Sequence, residues 1–306
     1  MKLAYVYFYE FVNSDEVYRH FIKKSINSLI ATGMCRGEDI FVNMLGVNKD
    51  ILTEMKEFGE QNNINIYDIS DGITHYYDYF KIDVREESDK INNPHVRFYN
   101  HKFTNYKKII DLGYDGIIQL DADIIFYDNI NYLFNSIDTN QKNTIYTMHV
   151  PSQYGTFSEE RIRDVVLSRD DNNLPFFSFS EQKGKKFTFL KKVCEYLLGY
   201  NLNNFVSDIH GLGFWPSGGV YLFTKEVVRD YGDILSFVNY LITKDDEFAV
   251  LLVCLSKGIT IKTLDINEIS TFDIQTFKSD PGRYKIFHPG GLEQKLRLIR
   301  DGLETF

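Results

Sequence analysis

The chain has 306 residues, 43% hydrophobic and 25% charged, an ordinary balance for a folded soluble protein with room for one large or two small domains. Its formal net charge of −9 excludes the basic footprint that non-specific nucleic-acid binding requires, so no nucleic-acid partner is expected. Cys35, Cys194 and Cys254 are odd in number, far apart and without CxxC spacing, which indicates neither a disulfide framework nor a zinc site and fits a reducing compartment.

Leu3 to Tyr9 reads as a first strand: the apolar stretch is too short for a signal peptide and lacks a small-residue cleavage site after it. No segment approaches the length of apolar run that spans a bilayer, so a cytoplasmic location is expected, with peripheral membrane association still open. Asp15 to Ile30 carries Val17, Phe21, Ile22, Ile26, Leu29 and Ile30 at helical spacing, with Ser14 as a cap. Asp39 to Leu45 gives a second strand, Lys49 to Asn62 a helix and Ile64 to Ile69 a third strand. Asn93 to Leu112 has helical periodicity through Phe98, Phe103, Tyr106, Ile109 and Ile110, and ends at Gly113. A fourth strand follows. This alternation predicts a mostly parallel, doubly wound α/β sheet flanked by helices, with a ligand crevice at the carboxyl ends of its strands.

The fourth strand carries the chemistry. Gly116-Ile117-Ile118-Gln119-Leu120 leads into Asp121-Ala122-Asp123, and Ile124-Ile125-Phe126-Tyr127 follows. Carboxylates in so apolar a run are costly unless a cation holds them. In an extended chain residues i and i+2 share a face, so Asp121 and Asp123 are expected to converge on one hard divalent metal, which in turn suits a phosphate-bearing substrate.

The second half is less regular. Residues 151–186 read as a substrate-facing excursion or a solvated loop, and Lys185 to Gly199 as a helix. Gly219 to Phe223 reads as a strand, helices begin near Lys225 and Asp245, and Ile259 to Leu264 is a late strand. With no internal repeat and no clean linker, residues 1–306 are expected to form one catalytic domain. Residues 1–128 would be its nucleotide-binding half, and 129–306 the acceptor half with a C-terminal elaboration.

The order of the motifs resembles the metal-dependent GT-A glycosyltransferases, and most of all family 8, which includes glycogenin and lipopolysaccharide galactosyltransferases. Arg97-Phe98-Tyr99 is similar to that family's arginine segment, and Tyr114 through Asp123 to its DxD strand. Trp215-Pro216-Ser217-Gly218-Gly219-Val220 resembles its Asn-(Ser/Ala)-Gly-Val segment, and Asp246-Glu247-Phe248-Ala249-Val250-Leu251 its Asp-Gln segment. His288-Pro289-Gly290-Gly291 with Lys295 is similar to its metal and phosphate motif. Three features depart from the pattern: Trp215-Pro216-Ser217 replaces the Asn, Glu247 replaces the Gln, and the Gly after His288 comes one residue early.

The resemblance implies transfer of a sugar from a nucleoside diphosphate sugar, UDP above others, to a hydroxyl of a glycan or lipid-linked saccharide, with retention of configuration. It implies Asp121, Asp123 and His288 as metal ligands, and a nitrogen ligand favours Mn²⁺ over Mg²⁺. Bridging metal charge suits a diphosphate that gains negative charge as it leaves. Asp121 is also expected to accept a ribose hydroxyl.

Arg97, a forked donor, and Lys102, five residues on, are candidates for phosphate or sugar hydroxyls, as is Lys295 for phosphate. Ser217, Gly218 and Gly219 would let backbone approach the sugar closely, and Trp215 would offer an acceptor platform. Asp246, with Glu247 beside it, is the candidate for activating the acceptor or holding the donor sugar. Tyr9 and Asp68, at ends of the first and third strands, are candidates for contacting base and ribose.

Two other readings remain. A haloacid-dehalogenase-like Mg²⁺-dependent phosphatase also places Asp-x-Asp after an apolar strand, though near its start and not followed by Ile at the position of Ile125. A catalytically inactive nucleotide-sugar or carbohydrate binder on the same fold has little need of Asp121, Asp123 and His288 together.

Overall fold

The computed structural model describes residues 1–10, 15–45, 49–69, 102–135, 137, 142–149, 194–214, 216–242, 246–264, 270–271, 273–280, 282–289, 295–297 and 300. Strand β1 (Leu3–Glu10) is central because both its faces are apolar: Ala4 and Val6 are buried on one side, Tyr5, Tyr7 and Tyr9 on the other. β2 (Ile40–Leu45), buried along its whole length, pairs parallel with it, and the short β3 (Asn65–Asp68) pairs parallel with β2. Helix α1 (Asp15–Ala31) buries Phe21, Ile22, Ser25, Ile26 and Leu29, the expected one-face spacing, and α2 (Lys49–Asn62) buries Ile51 and Met55. Ser14 lies outside the described residues.

The helix expected over Asn93 to Leu112 is shorter where it is described. Asn105 adopts a left-handed conformation with φ 74°, so regular α-helix is confined to α3 (Tyr106–Asp111), and residues 93–101 lie outside the described set. Gly113 ends the helix as expected, with φ 95° and its amide donating to the Ile110 carbonyl at 2.9 Å.

β4 (Gly116–Leu120) pairs parallel with β1 on the side opposite β2. The chain continues through β5 (Ile125–Phe126), α4 (Asn131–Asn135) and β6 (Thr144–His149). After α5 (Phe205–Leu212) come β7 (Pro216–Thr224), α6 (Lys225–Ile242), α7 (Asp246–Lys257) and β8 (Thr260–Leu264). Then follow β9 (Ser270–Thr271), α8 (Ile274–Ser279) and β10 (Ile286–Phe287). Residues 151–186 lie outside the described set, and of the helix expected over Lys185 to Gly199 only a π-type turn at Cys194–Leu198 is described.

The main sheet has strand order β3-β2-β1-β4-β7-β6-β8. Every pairing is parallel except those of β7, which runs antiparallel to both β4 and β6. Helices cover both faces. One face packs α3, α5, α6 and α7 against Val6, Ile117, Tyr221 and Phe223, and the other packs α1, α2 and α4 against Tyr7, Ile118, Leu120 and Leu222. A small second sheet, β5-β10-β9, lies beside them and closes a separate cluster of Phe21, Ile125, Phe277, Tyr284 and Phe287. The chain leaves β1 toward β2 on one side, while β4 lies on the other. In open α/β sheets the crevice outside the carboxyl ends of such a divergent strand pair is where ligands bind.

Candidate active site

β4 ends at Leu120, so Asp121-Ala122-Asp123 does not continue the strand as expected but forms a turn between β4 and β5. The Asp121 amide donates to the Gly219 carbonyl on β7 at 3.0 Å, and the Ile124 amide to the Asp121 carbonyl at 3.4 Å. The two carboxylates converge all the same, because the turn folds them toward the crevice.

His288 reaches them through the small sheet. Phe287 and Ile286 of β10 pair antiparallel with Ile125 and Phe126 of β5, so the next residue along β10 falls beside the Asp-bearing turn. Its Nε2 lies 3.1 Å from Asp123 Oδ1 and 3.4 Å from Asp121 Oδ2. A ligand atom from each of Asp121, Asp123 and His288 lies within 4.8 Å of the others. Two carboxylates and an imidazole this close fit a divalent metal of the Mn²⁺ or Mg²⁺ type.

Gly219 makes room for this arrangement. A Cβ on it would stand 2.7 Å from His288 Nδ1 and 2.9 Å from Cε1, inside van der Waals contact. Gly219→Ala is therefore expected to push the imidazole off its position and weaken Mn²⁺ binding on the order of 10- to 100-fold, while the fold, read by circular dichroism, is kept. Unchanged Mn²⁺ affinity in a calorimetric titration would show that His288 is not a ligand.

Two buried lysines complete the site. Lys295, in the helical residues 295–297, donates to Asp123 Oδ2 at 2.6 Å. Lys102 donates to Asp121 Oδ1 at 2.6 Å and to Asp246 Oδ2 at 2.8 Å, joining the β4 turn to the first residue of α7. Lys102, Lys295, Asp123 and Asp246 are each no more than 8% exposed, so these charges act through little water.

Burial by itself would raise the Asp123 carboxyl, but His288 and Lys295 outweigh it and hold the group well below the usual carboxylate range. Burial would lower His288, yet Asp123 and then Asp121 raise it above its ordinary value. Asp246 is raised, chiefly by burial, with Lys102 opposing and Asp121 adding to the effect. The buried run Phe248 to Cys254 of α7 fixes Asp246 against the core.

The sequence reading did not single out a polar layer behind these groups. Gln119 on β4 lies opposite Tyr221 on β7, and both are fully buried. The Gln119 amide and the hydroxyls of Tyr221 and Tyr106 find no hydrogen-bond partner among the described residues. The charges of Asp246 and Asp121 act on both tyrosines, whose hydroxyls burial raises first of all. The one available signal was Gln119 itself, a polar residue inside a strand with no exposed position.

The other candidates are dispersed. Glu247, partly exposed in the first turn of α7, is near enough for its charge to act on Tyr221. The Tyr9 ring is 2% exposed and packed in the core, so it presents no free face for stacking a base. Asp68 is exposed at the end of β3, three strand positions from β4 and hence roughly 14 Å from it. The backbone of Ser217, Gly218 and Gly219 belongs to β7, next to the Asp-bearing turn. Arg97, Trp215, Gly290 and Gly291 lie outside the described residues.

No protein-family model matches the sequence, and no curated protein matches it. Solved structures do. The bifunctional glycosyltransferase WbbM aligns at a TM-score of 0.52 and 12% identity, over 95% of this chain and 46% of its own. The chain thus spans about half the length of WbbM. Mouse xyloside xylosyltransferase 1 aligns at 0.51 and 13% identity, over 95% of this chain and 98% of its own. The galactosyltransferase LgtC, in complex with donor and acceptor sugar analogues, aligns at 0.47 and 12% identity, over 94% and 87%. The chain has the GT-A fold of these glycosyltransferases.

Proposed function

We propose that this chain is a metal-dependent glycosyltransferase that moves a sugar from a nucleoside diphosphate donor, UDP above others, to a hydroxyl of a glycan or lipid-linked saccharide. The observation that carries this reading is the convergence of Asp121, Asp123 and His288 at the crevice, next to the ion-paired Lys102 and Asp246. A bound Mn²⁺ or Mg²⁺ would supply positive charge against the diphosphate as it leaves. Asp121, Asp123 and His288 would hold that ion, and Asp121 would also accept a ribose hydroxyl.

Lys295 contributes a point charge for the diphosphate, and Lys102 a donor for phosphate or a sugar hydroxyl. Asp246 and Glu247 lie in the first turn of α7, Asp246 ion-paired with Lys102 beside the Asp-bearing turn. With retention of configuration, the reading favoured here, they orient the donor sugar while a leaving phosphate oxygen takes the acceptor proton. Backbone at Ser217, Gly218 and Gly219 lets the sugar lie close to β7, Arg97 is a further phosphate contact, and Trp215 is the acceptor platform. Tyr9 and Asp68 are the base and ribose contacts, Tyr9 only after its ring leaves the core.

In this reading residues 1–306 act as one catalytic domain, with 1–128 forming the nucleotide half. Cys35, Cys194 and Cys254 are all free thiols, which supports a reducing, cytoplasmic compartment; no described helix is long and apolar enough to cross a membrane. The test is a thermal-shift screen of UDP-, GDP-, dTDP- and CMP-sugars with and without Mn²⁺. One donor class is expected to raise Tm only with metal present. No response to any donor, together with Mg²⁺-dependent turnover of an aryl phosphate, would make the chain a phosphatase instead.

A further inference from the structure

All four oxygens of the carboxylate pair face a nitrogen. Lys102 Nζ is 2.6 Å from Asp121 Oδ1 and Lys295 Nζ 2.6 Å from Asp123 Oδ2, while His288 Nε2 covers the remaining oxygens at 3.4 and 3.1 Å. Both lysines are buried, as is Asp123, while the Asp121 side chain is partly exposed, so the Lys295–Asp123 pair in particular is an interior contact and not a surface pair. A divalent ion bound to the same oxygens at about 2.0–2.2 Å would stand beside both ammonium groups in a site with little water to screen the repulsion.

We propose that Lys102 and Lys295 are internal counter-ions that a divalent metal displaces, and that this exchange couples metal entry to capture of the diphosphate. The proposal rests on the metal-site and diphosphate readings given above. The lysines neutralise the carboxylates, and Lys102 ties the β4 turn to Asp246 of α7. A metal held by Asp121 and Asp123 would take the place of the Lys295 ammonium at Asp123 and leave that positive charge within the same site. Asp246 still holds Lys102, which loses only its Asp121 contact. The site then carries the metal charge as well as the lysine charge, and an anion of high charge density satisfies both. Lys295 thus opposes the metal when it binds alone and assists it once a diphosphate is present. Metal and nucleotide become cooperative without any movement of the backbone, and by linkage each strengthens the other by the same factor.

A ligand that merely contacted phosphate would give no such opposition, so the two effects of Lys295 separate in one variant. Mn²⁺ binding is measured by electron paramagnetic resonance on the full chain, with and without UDP as probe, for wild type, Lys295→Met and Asp123→Asn. Lys295→Met is expected to bind Mn²⁺ alone about tenfold more tightly than wild type, and to lose at least about tenfold of the strengthening that UDP confers. Its Tm is expected to rise more on Mn²⁺ addition than that of wild type, a readout that persists if the metal-free variant is poorly folded.

The wild type offers a second measurement. Addition of diamagnetic Mg²⁺ should shift the ¹⁵Nζ resonances of both buried lysines, Lys295 the more. Mn²⁺ affinity that is unchanged or weaker in Lys295→Met, with Asp123→Asn still abolishing it, overturns the exchange and leaves the metal site standing. Mn²⁺ binding indifferent to Asp123→Asn overturns the site and the exchange together.

Discussion

Asp123→Ala is expected to lose at least about a thousandfold in transfer activity and also about 3–5 kcal/mol of stability, the second because it breaks the buried ion pair with Lys295. From the sequence this substitution looks like a clean removal of a metal ligand. In the folded chain it also breaks an ion pair whose members are 8% and 4% exposed. The effects separate in the double variant Asp123→Ala/Lys295→Met, which should recover most of the stability in urea denaturation and none of the activity. Wild-type-like transfer by Asp123→Ala would rule out the proposed metal role.

Lys102→Met should be comparably severe, costing about 3–5 kcal/mol near neutral pH and on the order of a hundredfold or more in activity. Asp246 is 6% exposed, and its pKa is already raised by burial against the pull of Lys102, so removing the lysine raises it further. A carboxyl whose folded pKa lies above its unfolded value disfavours the fold only when ionised. The variant's deficit should therefore shrink as pH falls through the raised Asp246 value and widen as pH rises through it. Adding Asp246→Asn removes the buried charge and should flatten that pH dependence, as a urea series from acid to neutral pH would show. A deficit independent of pH would mean that Asp246 is not what Lys102 neutralises.

The strands of the first half were legible because burial on both faces leaves a continuous apolar run, as in the sequences of β1, β2 and β4. Their parallel pairing followed from the intervening helices. The reversal of β7 was not legible: Pro216–Thr224 would look the same in either direction, and only its partners β4 and β6 fix its sense. The sheet β5-β10-β9 was missed because its strands are two residues long, below any periodicity signal. That sheet is also what carries His288 to the aspartates, so the sequence could offer the residue but not its route. Of the two cations Arg97 and Lys102, five residues apart, charge and spacing gave no basis for seeing that Lys102 bridges Asp121 and Asp246. Tyr9 shows the reverse limit: its place at a strand end suggested the crevice, whereas its ring lies in the core cluster that includes Tyr7 and Met44, which no strand position reveals.

The carboxylates and the groups that neutralise them come from widely separated parts of the chain. Asp121 and Asp123 follow β4, whereas His288 follows β10 and Lys295 comes later still. During synthesis, the β1 to β4 half emerges first and presents Asp121 and Asp123 with Lys102 but without His288 or Lys295. Assembly of the site thus waits on the late segment that builds β10, and an incomplete chain, however well its first strands have paired, holds neither half of the exchange between lysine and metal at Asp123.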